Sequence, residues 1–123
     1  MLPARQRINR SDEFAAVTRR GAAARGGLVV VHLEVPTGPP MSAQPARVGF
    51  VVSRAVGGSA VRHRVVRRLR AVARQRLESL PPGSLVVVRA LPSAADASFE
   101  QLRADFSAAL GKALSRTAAR VGV

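Results

Sequence analysis

The feature that most constrains this chain is a run of arginines spaced so that one side of a helix would carry them. Seven arginines occur between positions 62 and 76, and no acidic residue occurs between Glu34 and Glu78. At about 100° per residue, the valines, leucines and alanine of segment 61–77 gather on the other side. The segment therefore predicts an amphipathic helix with one side for a core and the other for solvent or a polyanion.

The arginine side of this helix admits two interpretations. Its polar arc contains six residues: His63, Arg64, Arg67, Arg68, Arg70 and Arg74. A solvated helix face usually mixes both charge signs at spacings of three or four residues, and this arc meets no acidic residue before Glu78. Guanidinium groups without acidic partners repel one another unless an anion lies between them. We therefore favour nucleic acid as the partner over a merely solvated face.

Arg62 is the exception in this helix, because its angle places it with Leu69 and Ala73 on the apolar side. An unpaired guanidinium buried in a core is strongly destabilising. Its long stem can instead cross apolar surface and bring the charge out at the helix edge. We expect Arg62 to reach that edge near Arg54 and to bind the nucleic acid there. Pairing with a buried acid such as Glu34 would instead make Arg62 a structural residue.

The excess of positive charge extends over the whole chain. The formal net charge is +13 and the isoelectric point is about 12.0, which favours nucleic acid or an anionic membrane surface as a partner. No apolar run approaches the roughly 20 residues of a membrane span, and no signal-peptide pattern is present, so we expect no membrane partner. The absence of cysteine excludes disulfides and thiolate metal sites and fits a reducing cytoplasm.

Three segments predict helices. A short first helix is expected to begin behind a Ser11 cap and to stop at Gly21. The arginine helix is expected to begin behind a Ser59 cap, and the last helix behind a capping box of Ser98 and Gln101. Apolar residues recur at helical spacing in the last helix, which indicates a packing element.

Three segments rich in β-branched residues, 28–35, 47–54 and 84–90, predict strands. We expect the first two to pair as a hairpin. Gly49 inside the second indicates a bulge or a close approach of another group to the backbone. Helices and strands together predict an α+β or α/β arrangement of one sheet with helices.

A chain of this length is expected to form one domain, residues 1–123, and its positive charge gives nucleic-acid binding as the expected role of that domain. The two ends, 1–10 and 116–123, are predicted to be loose tails. The first tail contains three arginines that could equally contact phosphate: Arg5, Arg7 and Arg10.

Side chains suited to catalysis are scarce and scattered. Only His32 and His63 could act as bases near neutral pH. The seven acidic residues form no pair for acid–base or two-metal chemistry, and no cluster has metal-ligand spacing. We therefore expect no catalytic residue and no metal ligand in this chain. If the protein takes part in chemistry, a partner should supply the catalytic groups.

Segments 47–54 and 56–70 resemble the protein subunit of bacterial ribonuclease P. In that family a strand ends in Ser-Lys or Ser-Arg, and the sequence Val-Gly-Asn, Ala-Val-x-Arg-Asn-Arg and a basic helix follow. Here the corresponding motif is Arg62-His63-Arg64, preceded by Gly-Gly-Ser-Ala-Val. The N-terminal pattern of Phe14, Val17 and Gly21 also matches, and the resemblance covers about residues 2–115.

The resemblance implies a role beside a catalytic RNA. In that family the RNA subunit, with Mg²⁺, hydrolyses precursor tRNA to remove its 5′ leader, and the protein alone needs no cofactor. The implied contacts with the ribonuclease P RNA are Arg54, Arg62, His63, Arg64, Arg67, Arg68 and Arg70. The implied cleft for the single-stranded leader, between the first helix and the sheet, contains Phe14, Thr18, Val30, His32 and Phe50. One monomeric protein would join one RNA.

The fold that the resemblance implies is α+β: a single small sheet with helices in the order α-β-β-β-α-β-α, with a left-handed crossover through the basic helix. Its first strand would lie near residues 22–24. The chain departs from the family in four ways: His63 replaces the asparagine, Ser59-Ala60 stands where Ala-Val is usual, and Thr18 and His32 stand where aromatics are common. Two leader-stacking contacts would thus be weakened or replaced by hydrogen bonds. An ordinary half-buried sheet histidine is an equal alternative for His32.

The main alternative is a general or ribosome-associated RNA-binding protein without a role in tRNA processing. Such a protein would show the same charge, size and order of elements. An autonomous small nuclease would need a base and an acid on one surface. The Arg-His-Arg motif after Gly-Gly-Ser favours the ribonuclease P interpretation over both.

Overall fold

The helices of this protein pack on the two faces of one four-stranded sheet. The computed structural model describes residues 2–36 and 44–120, with side chains up to Thr117. The elements are α1 (Ser11–Arg20), β1 (Ala22–Arg25), β2 (Val29–Glu34), β3 (Arg47–Val51), α2 (Ser59–Leu77), β4 (Leu85–Ala90) and α3 (Phe99–Arg120). Short 3-10 helices lie at Ala4–Gln6 and Pro92–Asp96. The predicted α+β class and order are confirmed, including a first strand at β1.

The sheet is mixed, with the strand order β1-β2-β4-β3. β2 pairs antiparallel with both β1 and β4, whereas β3 runs parallel to β4. The predicted hairpin of the second and third strands is therefore wrong. β4 lies between them, because a strand with valines buried on both faces belongs in the interior of a sheet. The left-handedness of the β3-α2-β4 crossover stays a prediction.

The main core lies between one face of the sheet and helices α2 and α3. Val31 of β2, Val88 of β4, Leu69 of α2 and Phe106 of α3 are all nearly inaccessible to solvent within it. The apolar positions predicted for the two long helices thus do face a common core. Within the described ranges, no helix is long and apolar enough to cross a membrane.

The opposite face of the sheet is covered only in part, by α1. Glu13 near the start of α1 pairs with Arg47 of β3 at 2.5 Å, and Arg20 at its end pairs with Glu34 of β2 at 3.2 Å. Between these ion pairs lies a small second core of three buried residues: Ile8, Val17 and Val87. α1 is therefore held at both ends over one part of this face.

The helix caps differ in detail from those predicted. Ser11 and Ser59 are the first residues of α1 and α2, and the residues before them occupy the N-cap positions without a side-chain hydrogen bond. The predicted serine caps are thus wrong by one residue, because the preceding backbone is already extended, as a cap requires. The capping box of α3 is present: Gln101 N–H donates to Ser98 Oγ at 3.1 Å, and Ser98 N–H donates to Gln101 Oε1 at 2.8 Å.

Residues 2–8 pack along the sheet edge, where the sequence predicted a loose tail. Leu2 is fully buried in the main core, and Ile8 is buried in the second core. Between them, Arg7 forms a parallel bridge with Val48, whose carbonyl accepts the Ile8 N–H at 3.0 Å. Burial of two apolar anchors thus orders the segment. At the other end, α3 continues into the second predicted tail, of which 121–123 lie outside the described residues.

Gly49 in β3 marks a close approach of α1 to the sheet. A methyl group added to Gly49 would overlap the Phe14 ring at Cζ and Cε1 and would lie 3.2 Å from Ile8 Cβ. The close approach that this glycine predicted is therefore present.

We predict that Gly49→Ala lowers the free energy of unfolding by about 1–3 kcal/mol, because Phe14 or the strand must move. Phe14→Leu should restore part of that loss. Gly111→Ala, whose added methyl meets nothing within 4 Å, should instead stabilise α3 by up to about 1 kcal/mol. Denaturant unfolding measures all three, and an unchanged stability of Gly49→Ala would contradict the tight contact.

Candidate nucleic-acid interface

The seven arginines of α2 have no carboxylate partner among residues 2–36 and 44–120. The ion pairs in this part of the chain link Arg10 to Asp12, Arg20 to Glu34, Arg47 to Glu13 and Arg103 to Glu100, all outside α2. The positive charge of the helix is therefore not neutralised by the described protein. Such a surface attracts polyanions.

A groove of about 390 Å³ follows α2 on the side of β3. It is lined by Phe50, Val52, Ser59, Arg62, His63, Val66, Arg67 and Arg70. The Nε atoms of Arg62 and Arg70 are buried and have no hydrogen-bond partner in the described structure. Because an unsatisfied buried donor costs about 1–3 kcal/mol, both atoms favour an acceptor bound in this groove. An anion with several oxygens suits them.

Arg62 follows the prediction made for it in one respect. It has no acidic partner among the described residues, since Glu34 pairs with Arg20 instead. Arg62 is half-buried and lines the groove on the β3 side together with Phe50. Arg54 is exposed in the turn after β3 and does not line this groove. Proximity of Arg62 to Arg54 stays a prediction.

Arg64 and Arg68 lie on the opposite side of α2 from this groove. Arg68 Nη1 donates to the Ala97 carbonyl at 2.7 Å, and Arg64 Nη2 donates to the Ala95 carbonyl at 3.4 Å. Arg68 in particular is half-buried, so its contact joins α2 to the turn that precedes α3. The helical angle could not reveal this role, because the acceptors are backbone carbonyls from a distant segment.

The predicted leader cleft lies on the other face of the sheet, which α1 partly covers. Val30 and His32 point to this face, as does Val87, the partner of His32 across the strands. Phe14 packs beside the second core on the same face. The Thr18 hydroxyl donates to the Phe14 carbonyl at 2.8 Å. The structure therefore brings α1 together with Val30 and His32 on one face.

Phe50 does not belong to that face, which corrects its placement in the cleft. Its partner Val88 lies in the main core, and side chains alternate along a strand, so Phe50 points towards α2. There it lines the groove of Arg62. At the sheet edge it also lines a smaller pocket with Phe14. The register of β3 against β4 decides this orientation, and that register was not evident from the sequence.

His32 sits in an environment that disfavours its charged form. Burial, and secondly the positive charge of Arg89, lower the pKa of His32 from its ordinary value of 6.5. Its Nδ1 atom is buried without a hydrogen-bond partner in the described structure. At neutral pH the imidazole is therefore uncharged, and one ring nitrogen can donate while the other accepts. Such a group can pair with the edge of a nucleobase.

Arg89 is a residue of this face that the sequence reasoning missed. It is exposed near the end of β4 and lies directly across from Val30, which in turn pairs with Arg25 of β1. Three residues in one row thus place a cation on each side of an apolar centre. The signal available in the sequence was a lone arginine in a valine-rich strand, which points outward when its neighbours are buried.

The two histidines lie on opposite sides of the sheet, His32 beside α1 and His63 in the groove along α2. They therefore cannot act on one substrate atom. Over residues 2–36 and 44–120, no three His, Asp or Glu side chains come together in a way that could hold a metal ion.

We predict that replacing Arg89 with methionine raises the pKa of His32 but leaves it below 6.5, because burial is the larger cause of its lowering. Methionine keeps much of the apolar stem and removes the charge. NMR titration of the His32 ring proton measures the pKa, with Arg103→Met as a distant control. An unchanged His32 titration in Arg89→Met would contradict the contact.

This lowered pKa also has a defined effect on stability. Because the folded-state pKa lies below the unfolded one, the unfolded chain binds more protons. The contribution of His32 is thus present above about pH 6.5 and is lost as the pH falls from there through the folded-state pKa.

We predict that Arg68→Ala lowers the free energy of unfolding by about 1–2 kcal/mol, because it removes the hydrogen bond to Ala97. Arg67→Ala, on the exposed side of the same helix, should change it by no more than about 0.5 kcal/mol. Denaturant unfolding of the two matched variants compares them. Equal stabilities would show that the Arg68 contact contributes nothing to the fold.

Comparisons with known proteins agree on one family. The family model described as Ribonuclease P matches residues 2–114. The ribonuclease P protein component of Streptomyces avermitilis is 53% identical to this chain, over 93% of this chain and 96% of its own length. That of Salinispora tropica is 47% identical over 92% and 93%, respectively.

Solved structures show the same fold at lower sequence identity. The RNase P protein of Staphylococcus aureus superposes with a TM-score of 0.73 at 21% identity, covering 88% of this chain and 94% of that chain. The Thermotoga maritima RNase P protein gives 0.68 at 20% identity, covering 83% and 92%. At this identity the likeness concerns the fold alone.

Proposed function

The chain belongs to the ribonuclease P protein family, and on that premise we propose how it serves as the protein subunit. Its α2 arginines bind the catalytic RNA, and the sheet face beside α1 binds the 5′ leader of precursor tRNA. The RNA and its Mg²⁺ ions carry out the hydrolysis, so the protein contributes binding and no catalytic group. One protein acts with one RNA, in the cytoplasm.

The observation that carries RNA binding is the set of unneutralised arginines on α2. None of them has a carboxylate partner in the described chain, although Glu13 and Glu34 do pair with arginines elsewhere. The buried Nε atoms of Arg62 and Arg70 lack acceptors in the groove along β3. Phosphate oxygens supply such acceptors and reduce the repulsion between the guanidiniums.

The leader assignment rests on the chemistry of the opposite face. Arg25 and Arg89 flank Val30 in one row of the sheet, and His32 adds a neutral imidazole beside them. A single strand presents phosphates for the two cations and bases for the apolar and imidazole groups between them. Hydrogen bonding by His32 thus replaces the aromatic stacking that is common in the family.

The alternative of a general RNA-binding protein is less favoured. It rested on charge and fold order alone, and relatives at about half identity over most of the chain are ribonuclease P protein components. An RNA-binding protein of another class would share the basic helix without this relationship.

Reconstitution tests the division of labour. Precursor tRNA is incubated at low Mg²⁺ with ribonuclease P RNA, with the protein freed of nucleic acid, or with both. We expect cleavage by the two together to be faster than by the RNA alone, because the protein neutralises RNA charge that Mg²⁺ would otherwise have to offset. Protein alone should leave the substrate uncut. Cleavage by RNA-free protein, or no gain from adding it, would overturn the proposal.

Leader length separates the two faces in the same assay. We expect His32→Ala and Arg89→Gln to raise KM for a precursor with a leader of several nucleotides but not for one with a single-nucleotide leader. Arg67→Gln should weaken RNA-subunit binding for either substrate, by roughly two- to fivefold. Arg103→Gln, an equal charge change on α3, serves as the control. If KM rises equally for both leaders, the cleft assignment fails.

A further inference from the structure

We propose that the N-terminal segment and the C-terminal half of α2 form a second site for the ribonuclease P RNA, in which Arg5 and Arg74 bind the phosphodiester backbone. The inference rests on the proposed function, because it takes RNA as the partner. It adds a surface outside both the groove along β3 and the leader cleft. It also assigns a role to a segment that the sequence left undecided.

The site is a groove of about 580 Å³ between the first turn of the chain and α2. Its lining residues are Pro3, Arg5, Gln6, Ala71, Arg74, Gln75 and Glu78. Two guanidiniums can bind phosphate oxygens, and two side-chain amides can bond to ribose hydroxyls or base edges. The chemical class that fits this combination is a polynucleotide backbone.

The N-terminal half of the groove is held in place before any RNA binds. Leu2 is fully buried on one side of the turn, and Ile8 is buried on the other. Arg7 Nε donates to the Leu2 carbonyl at 2.9 Å, which closes the turn. Arg5 is thus displayed from an ordered segment, so that binding needs little further ordering of the chain.

As in α2, some arginine side chains near this groove bind other atoms of the protein and some do not. Arg7 contacts the Leu2 carbonyl and Arg10 pairs with Asp12 at 2.9 Å. Arg5 and Arg74 are exposed, and their side chains make no hydrogen bond or ion pair within residues 2–36 and 44–120. Two unpaired cations lining one groove favour an anion between them.

The position of this groove favours RNA over an isolated small anion. Arg70 lines the groove along β3 and also the smaller pocket at the sheet edge. Arg7 lines that edge pocket too, and Arg5, two residues earlier in the chain, lines the groove proposed here. Arg62 and Arg74 are twelve residues apart, which is ~18 Å along a helix. Basic side chains therefore follow one another over a length that suits a chain of phosphates.

Glu78 allows a test in which RNA binding should become stronger, whereas the arginine variants should weaken it. It is exposed, lines the same groove and has no ion-pair partner within the described ranges. An anion bound by Arg5 and Arg74 is repelled by this carboxylate. Removing the charge should therefore strengthen RNA binding, whereas removing either arginine should weaken it.

The experiment titrates full-length protein with ribonuclease P RNA at several KCl concentrations. We expect Arg5→Gln and Arg74→Gln each to bind roughly two- to fivefold more weakly than the parent protein. Their double variant should reduce the slope of log affinity against log salt by roughly one to two. Glu78→Gln should bind more tightly, and Arg103→Gln, a matched loss of one charge on α3, should bind as the parent does.

Two outcomes separate this site from the proposed function. If Arg5→Gln and Arg74→Gln bind as Arg103→Gln does while Arg67→Gln binds more weakly, the second site is wrong and the role of α2 stands. If Arg67→Gln is also unchanged, RNA binding by α2 itself fails. A Glu78→Gln variant that binds more weakly than the parent would likewise overturn the second site. Circular dichroism and thermal unfolding confirm that each variant is folded.

Discussion

The architecture depends on the burial of β4 on both of its faces. Val86 and Val88 pack into the main core, whereas Val87 packs beneath α1. A strand of this kind needs a neighbour at each edge and cover on each face. β2 provides one neighbour by antiparallel pairing and β3 the other by parallel pairing. Because a tight turn cannot join parallel strands, the chain between β3 and β4 forms the crossover helix α2.

The sheet separates two of the candidate RNA surfaces. α2 carries the groove of Arg62 and Arg70 on the main-core side, and the face beside α1 carries His32 and Arg89. Away from the sheet edges these surfaces form separate sites, because the sheet lies between them. An RNA that contacted both would have to pass around a sheet edge. At the β3 edge, Phe50 and Phe14 come from opposite faces to line a common pocket.

The arginines of this chain have two roles, which differ in whether the guanidinium binds an oxygen atom of the protein. Arg20 and Arg47 hold α1 to the sheet through carboxylates. Arg68 holds the turn before α3 through a backbone carbonyl. Arg62 and Arg70 leave buried Nε atoms without acceptors. A high arginine content therefore does not by itself indicate RNA contacts, because part of it stabilises the fold.

The sequence by itself determined the three α-helices, the strands β2, β3 and β4 and their order, because hydrophobic periodicity acts over a few residues. The first strand, β1, was expected only from the family resemblance. The Ser98–Gln101 capping box and the close approach at Gly49 were also visible in the sequence, because each is signalled by one or two residues within a single segment. Family membership followed from the motif around Arg62. Only the tertiary structure decided that β4 separates β2 from β3 and that Phe50 faces α2. It also decided that Arg68 binds a carbonyl and that residues 2–8 are ordered. Each of these depends on pairing between segments far apart in the chain, and local periodicity specifies which faces are apolar without specifying which strand or carbonyl lies opposite.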